Sequence, residues 1–188
     1  MPARPSAALS VIVTGFVLLA AACGSSTGLP SATFANTVDT VSLFALSDPN
    51  VQRPSAYSVA IKSTVRTDLT TAFDFAFDFD AQHRPVLYPP GAVHLGNSAG
   101  LQPTTASFPS ISLAPTTGYV RDSALVIGVD AVVVVQSRPT ACLTGITLPF
   151  YGKLHVLAVD TTAHRLDFEV LVDENCGYRG LAPGLPSQ

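Results

Sequence analysis

The sequence predicts an all-β fold, a single antiparallel β-sandwich or partly closed β-barrel of about seven to nine strands. Three observations carry this reading. Phe73, Phe75, Phe77 and Phe79 alternate with Asp74, Ala76, Asp78 and Asp80, the two-residue period that places four rings on one face of a strand and the carboxylates on the other. No helix gathers these rings, because residues two apart stand about 200° apart around its axis. Val132 to Val135 are four consecutive valines, side chains that lose χ1 freedom in helices and suit a pleated surface. Past Cys23 there is neither a 3.6-residue apolar period nor an internal repeat.

The elements follow in order. Residues 41–46 and 57–65 alternate, the second through Tyr57, Val59, Ile61 and Val65. Residues 72–80 form the phenylalanine strand, whose four buried rings stabilise by roughly 6–12 kcal/mol before chain entropy is subtracted. Residues 89–118 are rich in Pro, Gly, Ser and Thr; loops this long are uncommon in compact domains unless functional or disordered, and a short strand at 107–113 breaks it up. Residues 124–135, apolar on both faces, read as one central, covered strand. Residues 143–148 give a further strand. Residues 154–160 and 166–173 flank Thr161-Thr162-Ala163-His164-Arg165 as a hairpin, with Leu166, Phe168, Val170 and Val172 inward and Asp167, Glu169 and Leu171 on the other face. Pro49, Pro54, Pro85, Pro89, Pro90, Pro103, Pro109, Pro115, Pro139 and Pro149 fall between these strands, as ladder hydrogen bonding requires.

Several residues have a chemical look. Gly96-Asn97-Ser98-Ala99-Gly100 matches the G-x-S-x-G turn, and Asp130 and His155 follow in the chain order of a serine hydrolase triad. That motif needs a strand before it and a helix after it, whereas Pro103 follows almost at once, so a turn built from Gly, Asn and Ser is the plainer reading. Asp74, Asp78 and Asp80 share one face, with Asp78 and Asp80 spaced to bracket a Ca²⁺ with help from Asp68 or His83; a solvated face that guards a sheet edge is the alternative, and no metal site is assigned. Asp130 stands alone in the apolar run, either turned outward by a bulge at Gly128 or paired with Arg121 or Arg138. His83, His94, His155 and His164 lack zinc spacing and read as surface or turn residues. Tyr151 and Tyr178 are either groove-lining or packing residues with a wet hydroxyl. No catalytic set and no cofactor is expected.

The first residues give an address. Residues 1–6 carry one basic side chain, Arg4; residues 7–19 are a nearly unbroken apolar run; Ala20, Ala21 and Ala22 precede Cys23 and Gly24. This order marks a secretory signal peptide. A membrane span is the rival, but it needs about 20 apolar residues, and Ser10, Thr14 and Gly15 interrupt this run. With the cysteine directly after the alanines, residues 1–26 resemble the signal and lipobox of bacterial lipoprotein precursors. The resemblance implies cleavage before Cys23, lipidation of Cys23 and an exported, membrane-anchored protein on the periplasmic or extracellular side, with Gly24 in place of Asp favouring an outer membrane where the cell has one. The alternative is an ordinary signal peptide cut after Ala22, leaving Cys23 a free thiol.

If Cys23 carries lipid, Cys142 and Cys176 are left to pair in an oxidising compartment. That disulfide closes about 35 residues and is valued at roughly 3–4 kcal/mol in the chain-entropy treatment; a reactive or metal-binding thiol pair, for which no CxxC spacing exists, is the alternative. The expected organisation is residues 1–22 signal peptide, 23–35 lipidated cysteine and flexible tether, 36–179 β domain and 180–188 flexible tail. Removing Arg4 with the signal leaves 9 basic against 13 acidic side chains, which argues against nucleic acid and offers no polybasic patch for an anionic membrane. The membrane contact expected is the lipid anchor. For the domain itself, a structural or partner-binding role in the envelope comes first, a small-ligand-binding module with residues 89–118 as its rim second, and a hydrolase using Ser98, His155 and Asp130 a remote third.

Overall fold

The computed structural model describes residues 29–142 and 145–186. The expected signal peptide, Cys23, residues 24–28 of the expected tether and part of the strand expected at 143–148 therefore lie outside the described residues. Twelve β segments follow in chain order: β1 (Val38–Phe44), β2 (Ala56–Ser58), β3 (Ser63–Val65), β4 (Phe75–Phe79), β5 (Pro85–Tyr88), β6 (Gly100–Thr104), β7 (Leu125–Val126), β8 (Val132–Gln136), β9 (Thr140–Ala141), β10 (Thr147–Leu148), β11 (Tyr151–Asp160) and β12 (Arg165–Asp173), with two 3₁₀ turns at Pro90–Val93 and Phe108–Ser110. One antiparallel sheet has the order β1-β12-β11-β8-β6, the other β3-β2-β4-β5-β7, and β9 and β10 form a small hairpin. The two large sheets pack face to face as a sandwich, not a closed barrel.

The core lies between them. Leu43, Leu101, Val133, Val135, Leu154, Val156, Leu166, Phe168, Val170 and Val172 of the first sheet meet Tyr57, Phe75, Phe77 and Leu87 of the second. The valine run is covered on both faces, since Val132 and Val134 join Phe108, Tyr151, Leu171 and Leu181 in a second cluster on the outer face. The hairpin expected at 154–173 is β11–β12, with Leu166, Phe168, Val170 and Val172 inward and Leu171 outward. Cys142 and Cys176 are bonded, with Cα atoms 5.9 Å apart.

Five sequence expectations are corrected. Residues 57–65 are a hairpin, not one strand: β2 and β3 pair, Lys62 turns the chain at φ 49° and Ile61 is exposed. The run at 124–135 breaks at a turn where Asp130 takes φ 67°, sending β7 to one sheet and β8 to the other. Residues 89–118 are no plain loop, because β6 lies inside them and pairs with β8, while the strand expected at 107–113 is a 3₁₀ turn anchored by buried Phe108. Two prolines sit within strands, Pro85 at the first position of β5 and Pro103 in β6 at the sheet edge, the two places where a missing N–H costs least. Finally, residues 180–184 are not frayed: Leu181 is fully buried, its N–H donates to Ser112 at 2.8 Å, and Gly184 bridges Asn36. One apolar side chain with a slot to fill outweighs the Pro/Gly composition around it.

The phenylalanine strand also departs from strict alternation. Phe75 and Phe77 face the core and Phe79 packs against it, but Phe73 joins Ala56 and Ala76 on the outer face. The cause is the bend at Asp74, which is fully buried. Its Oδ2 accepts the Val59 N–H at 2.7 Å, and its Oδ1 accepts the Arg138 N–H at 2.9 Å and faces the guanidinium Nε at 3.3 Å. Val59 follows β2 in one sheet and Arg138 follows β8 in the other, so one carboxylate clamps both layers.

Two predictions follow from these buried acids. Removing one partner of a buried, hydrogen-bonded ion pair costs about 3–5 kcal/mol, so Asp74→Ala should lose that much in urea unfolding while Asp74→Asn, which keeps an acceptor, loses less; a loss below about 1 kcal/mol for Asp74→Ala would show that the clamp is not what joins the layers. Asp173, at the end of β12, is fully buried; its Oδ1 accepts two hydrogen bonds from Asn175 and its Oδ2 accepts none. Burial raises its pKa, opposed by the Asn175 bonds. The folded state therefore holds this proton to higher pH than the unfolded chain, so stability falls as pH rises through the window above about 3.9. Asp173→Asn should abolish that part of the fall, measured as denaturation free energy between acid and neutral pH; an unchanged pH profile would contradict it.

Candidate functional site

The core alternation decides what stands on the outer face of the first sheet. Leu154 and Val156 of β11 point inward, so Lys153 and His155 point out, and the ladder sets His155 directly opposite Glu169 of β12. The imidazole Nδ1 donates to Glu169 Oε1 at 2.8 Å, and Nε2 faces Asp130 Oδ1 at 3.5 Å. Asp130 reaches this place because its turn is fastened to the sheet, its N–H donating to the Val156 carbonyl at 2.9 Å. It is turned outward, as a break near Gly128 implied, but its partner is His155. Arg138 is spent on Asp74, and Arg121 bonds Gln136 and the carbonyl of Ser98.

This trio opens on a hollow of about 380 Å³ whose other wall is Thr104 to Pro109. Phe108 floors it, its ring 6.2 Å from the imidazole. Beneath lies Lys153, 1% exposed, its Nζ donating to the carbonyls of Phe108 at 2.6 Å and Ile111 at 2.8 Å and standing 4.5 Å from the Phe108 ring centre. Burial lowers the lysine pKa, with the Glu169 charge opposing. The imidazole is thus held between two carboxylates at the edge of the hollow, Glu169 on Nδ1 and Asp130 on Nε2.

The structure does not bring Ser98 to that histidine. Ser98 lies two residues before Gly100, which pairs with Gln136, whereas His155 pairs with Val132 at the far end of β8. Four residues of strand are about 13 Å, well beyond hydrogen-bond reach, and no helix follows the G-x-S-x-G turn. The acidic face disperses too. Asp74 is the buried clamp, Asp78 accepts from Ser47 and Phe79, Asp80 from Gln82 and Arg84, and Asp68 pairs with Arg66. Among the described residues no three His, Cys, Asp or Glu side chains are placed to hold a metal. His83, His94 and His164 occupy left-handed turn positions, the turn role read for them.

A second concavity has no signal in the sequence. Residues 30–36 form a strap along the end of the sandwich: Asn175 Oδ1 accepts the N–H of Thr33 and Phe34, Asn175 Nδ2 donates to the Phe34 carbonyl, and the Tyr178 hydroxyl donates to Pro30. The tether read as flexible through residue 35 is thus hydrogen-bonded from Pro30 onward. Between strap and disulfide lies a cleft of about 340 Å³, walled chiefly by Leu29, Pro30, Phe34, Leu148, Phe150 and Tyr178. Tyr178 both lines this cleft and packs; Tyr151 packs, its hydroxyl accepting from Gln136. Nothing in the spacing of Leu29 or Phe34 marks them as walls, because their partners are more than a hundred residues away.

No protein-family model matches this chain, and no curated protein matches its sequence.

The buried ammonium makes the rim testable. Lys153→Met leaves two carbonyls without their donor, a loss of about 1–3 kcal/mol, and should raise amide hydrogen exchange across residues 105–113. Because the folded lysine pKa lies below its unfolded value of about 10.4, wild-type stability rises with pH through the window beneath that value; the variant should lack the rise. Unaltered exchange and an unaltered alkaline profile would contradict this role.

Proposed function

We propose that this chain is an exported, lipid-anchored envelope lipoprotein whose β-sandwich is a non-enzymatic structural or partner-binding module. One observation carries the reading. The chain has three cysteines, and Cys142 and Cys176 are bonded to each other, so Cys23 is the odd thiol, and it stands directly after Ala20-Ala21-Ala22. A structural disulfide suits an oxidising compartment, and an odd thiol there is best accounted for by acylation. The strap adds support: the chain leading back toward Cys23 leaves the sandwich beside the disulfide, tied down by Asn175. Among the described residues no helix is long and apolar enough to cross a membrane, and the anchor proposed is the lipid.

A second reading, a small-ligand-binding module, is favoured by one specific feature. The segment 89–118 supplies the Thr104–Pro109 wall of the hollow facing Asp130, His155 and Glu169, which gives that segment the place of a rim. The hydrolase reading has no comparable support, since Ser98 and His155 stand at opposite ends of β8.

The test is the mass of the mature amino terminus together with membrane partition. The wild-type protein should begin at Cys23 with acyl groups attached and sediment with membranes, while Cys23→Ser should lose the acyl mass and move to the soluble fraction. An unmodified Cys23, or a retained signal segment, would overturn the proposal.

A further inference from the structure

We infer that the cleft beside the disulfide receives one of the acyl chains carried by Cys23 of the same molecule. The inference rests on the lipidation proposed above and adds where part of that lipid goes.

Four observations converge. First, the walls are hydrocarbon: Leu29 and Phe34 on the strap face Leu148 and Phe150 across the cleft, closed at one end by the Cys142–Cys176 bridge. Second, the polar atoms of the strap side are already committed. Asn175 spends its amide on Thr33, Phe34 and Asp173, and Tyr178 spends its proton on Pro30. The charged group at the mouth, Glu174, stands 3.7 Å from Lys62. A site so furnished selects an apolar occupant. Third, two of the walls pack against a glycine. Gly177 sits at φ 80°, and a Cβ there would come within 2.6 Å of Leu148 and 3.0 Å of Leu29, so its bare backbone lets the two leucines approach. Fourth, the lengths fit. Five residues separate Cys23 from Leu29, a reach of about 20 Å when extended, and a volume of about 340 Å³ lies at the small end of ligand pockets, room for one chain rather than several. The remaining acyl groups stay in the leaflet, as stable anchoring by more than one chain requires, and the cleft mouth consequently faces the membrane.

The chain contains no tryptophan, so a single one reports the cleft. Ala141→Trp places it on an exposed wall, and Ser31→Trp is a second reporter on the strap should the first disturb the β9–β10 hairpin. Emission is compared for the acylated protein in a lipid-free amphipathic polymer, the acylated protein in phosphatidylethanolamine–phosphatidylglycerol vesicles, and the same chain carrying Cys23→Ser, alone and with palmitic acid. The expected result is blue-shifted emission in both acylated samples, red-shifted emission in Cys23→Ser, and a return to blue on adding palmitic acid. A blue shift confined to vesicles would assign the cleft to a neighbouring lipid and overturn the inference, as would identical emission with and without acylation. The palmitic acid titration reads the cleft independently of lipidation: if the amino terminus proves unmodified while the titration still shifts the emission, the lipoprotein reading has failed and the cleft's chemistry has not; if lipidation is found and palmitic acid shifts nothing, the reverse holds.

Discussion

Three rings hold the two sheets together at their centre. Tyr57 and Phe75 of the second sheet stack at 5.6 Å, and Phe168 of the first stands edge-on to both at 5.9 Å. Such pairs contribute about 0.5–1.5 kcal/mol each beyond the area they bury, but their larger consequence is positional. With Phe168 and its alternating neighbours committed to the core, the intervening residues of β12, and of β11 up to the irregularity after Val156, must face outward. That places Lys153, His155, Glu169 and Leu171 on one surface and determines where the hollow, the rim and the second apolar cluster can form. A slip of one residue would bury Glu169 and expose Phe168, so the candidate site inherits its geometry from the core.

What the sequence reveals follows the reach of its interactions. The alternation of 166–173, the two-faced valines and the inward Phe75 and Phe77 depend on local spacing and are legible from it. The turns at Lys62 and Asp130 are obscured because neither uses Gly or Pro at the positive-φ position, and the apolar residues on either side of each continue as if in one strand. Strand β6 is masked by a Pro/Gly-rich setting, although an edge position tolerates Pro103. Asp74 reads as one of a row of surface acids and is instead the best-bonded carboxylate in the core, since its donors come from Val59 and Arg138, the second 64 residues away. The strap, the cleft and the docked Leu181 are likewise made of partners distant in sequence, and composition alone describes them as tether and tail.

Function divides along the same line. The proposed address rests on the first residues, and the closure of Cys142 on Cys176 at the other end of the chain supports it. The hollow around His155 is assembled by strand register, and the triad it superficially suggests lacks its serine. The strap links these themes physically: Asn175 ties Thr33 and Phe34 to the disulfide end of the sandwich, so the proposed anchor would leave the domain from a hydrogen-bonded segment.

The two sheets behave as one cooperative body through their shared aromatic layer, and native-state hydrogen exchange tests this most directly. The slowest amides of β4 and of β12 should exchange through a single opening with the same free energy, equal to that of global unfolding. Protection that persists in β12 after β4 has opened, with a clearly different free energy, would mean that the sheets are separate units and that the outer-face site owes nothing to the rings between them.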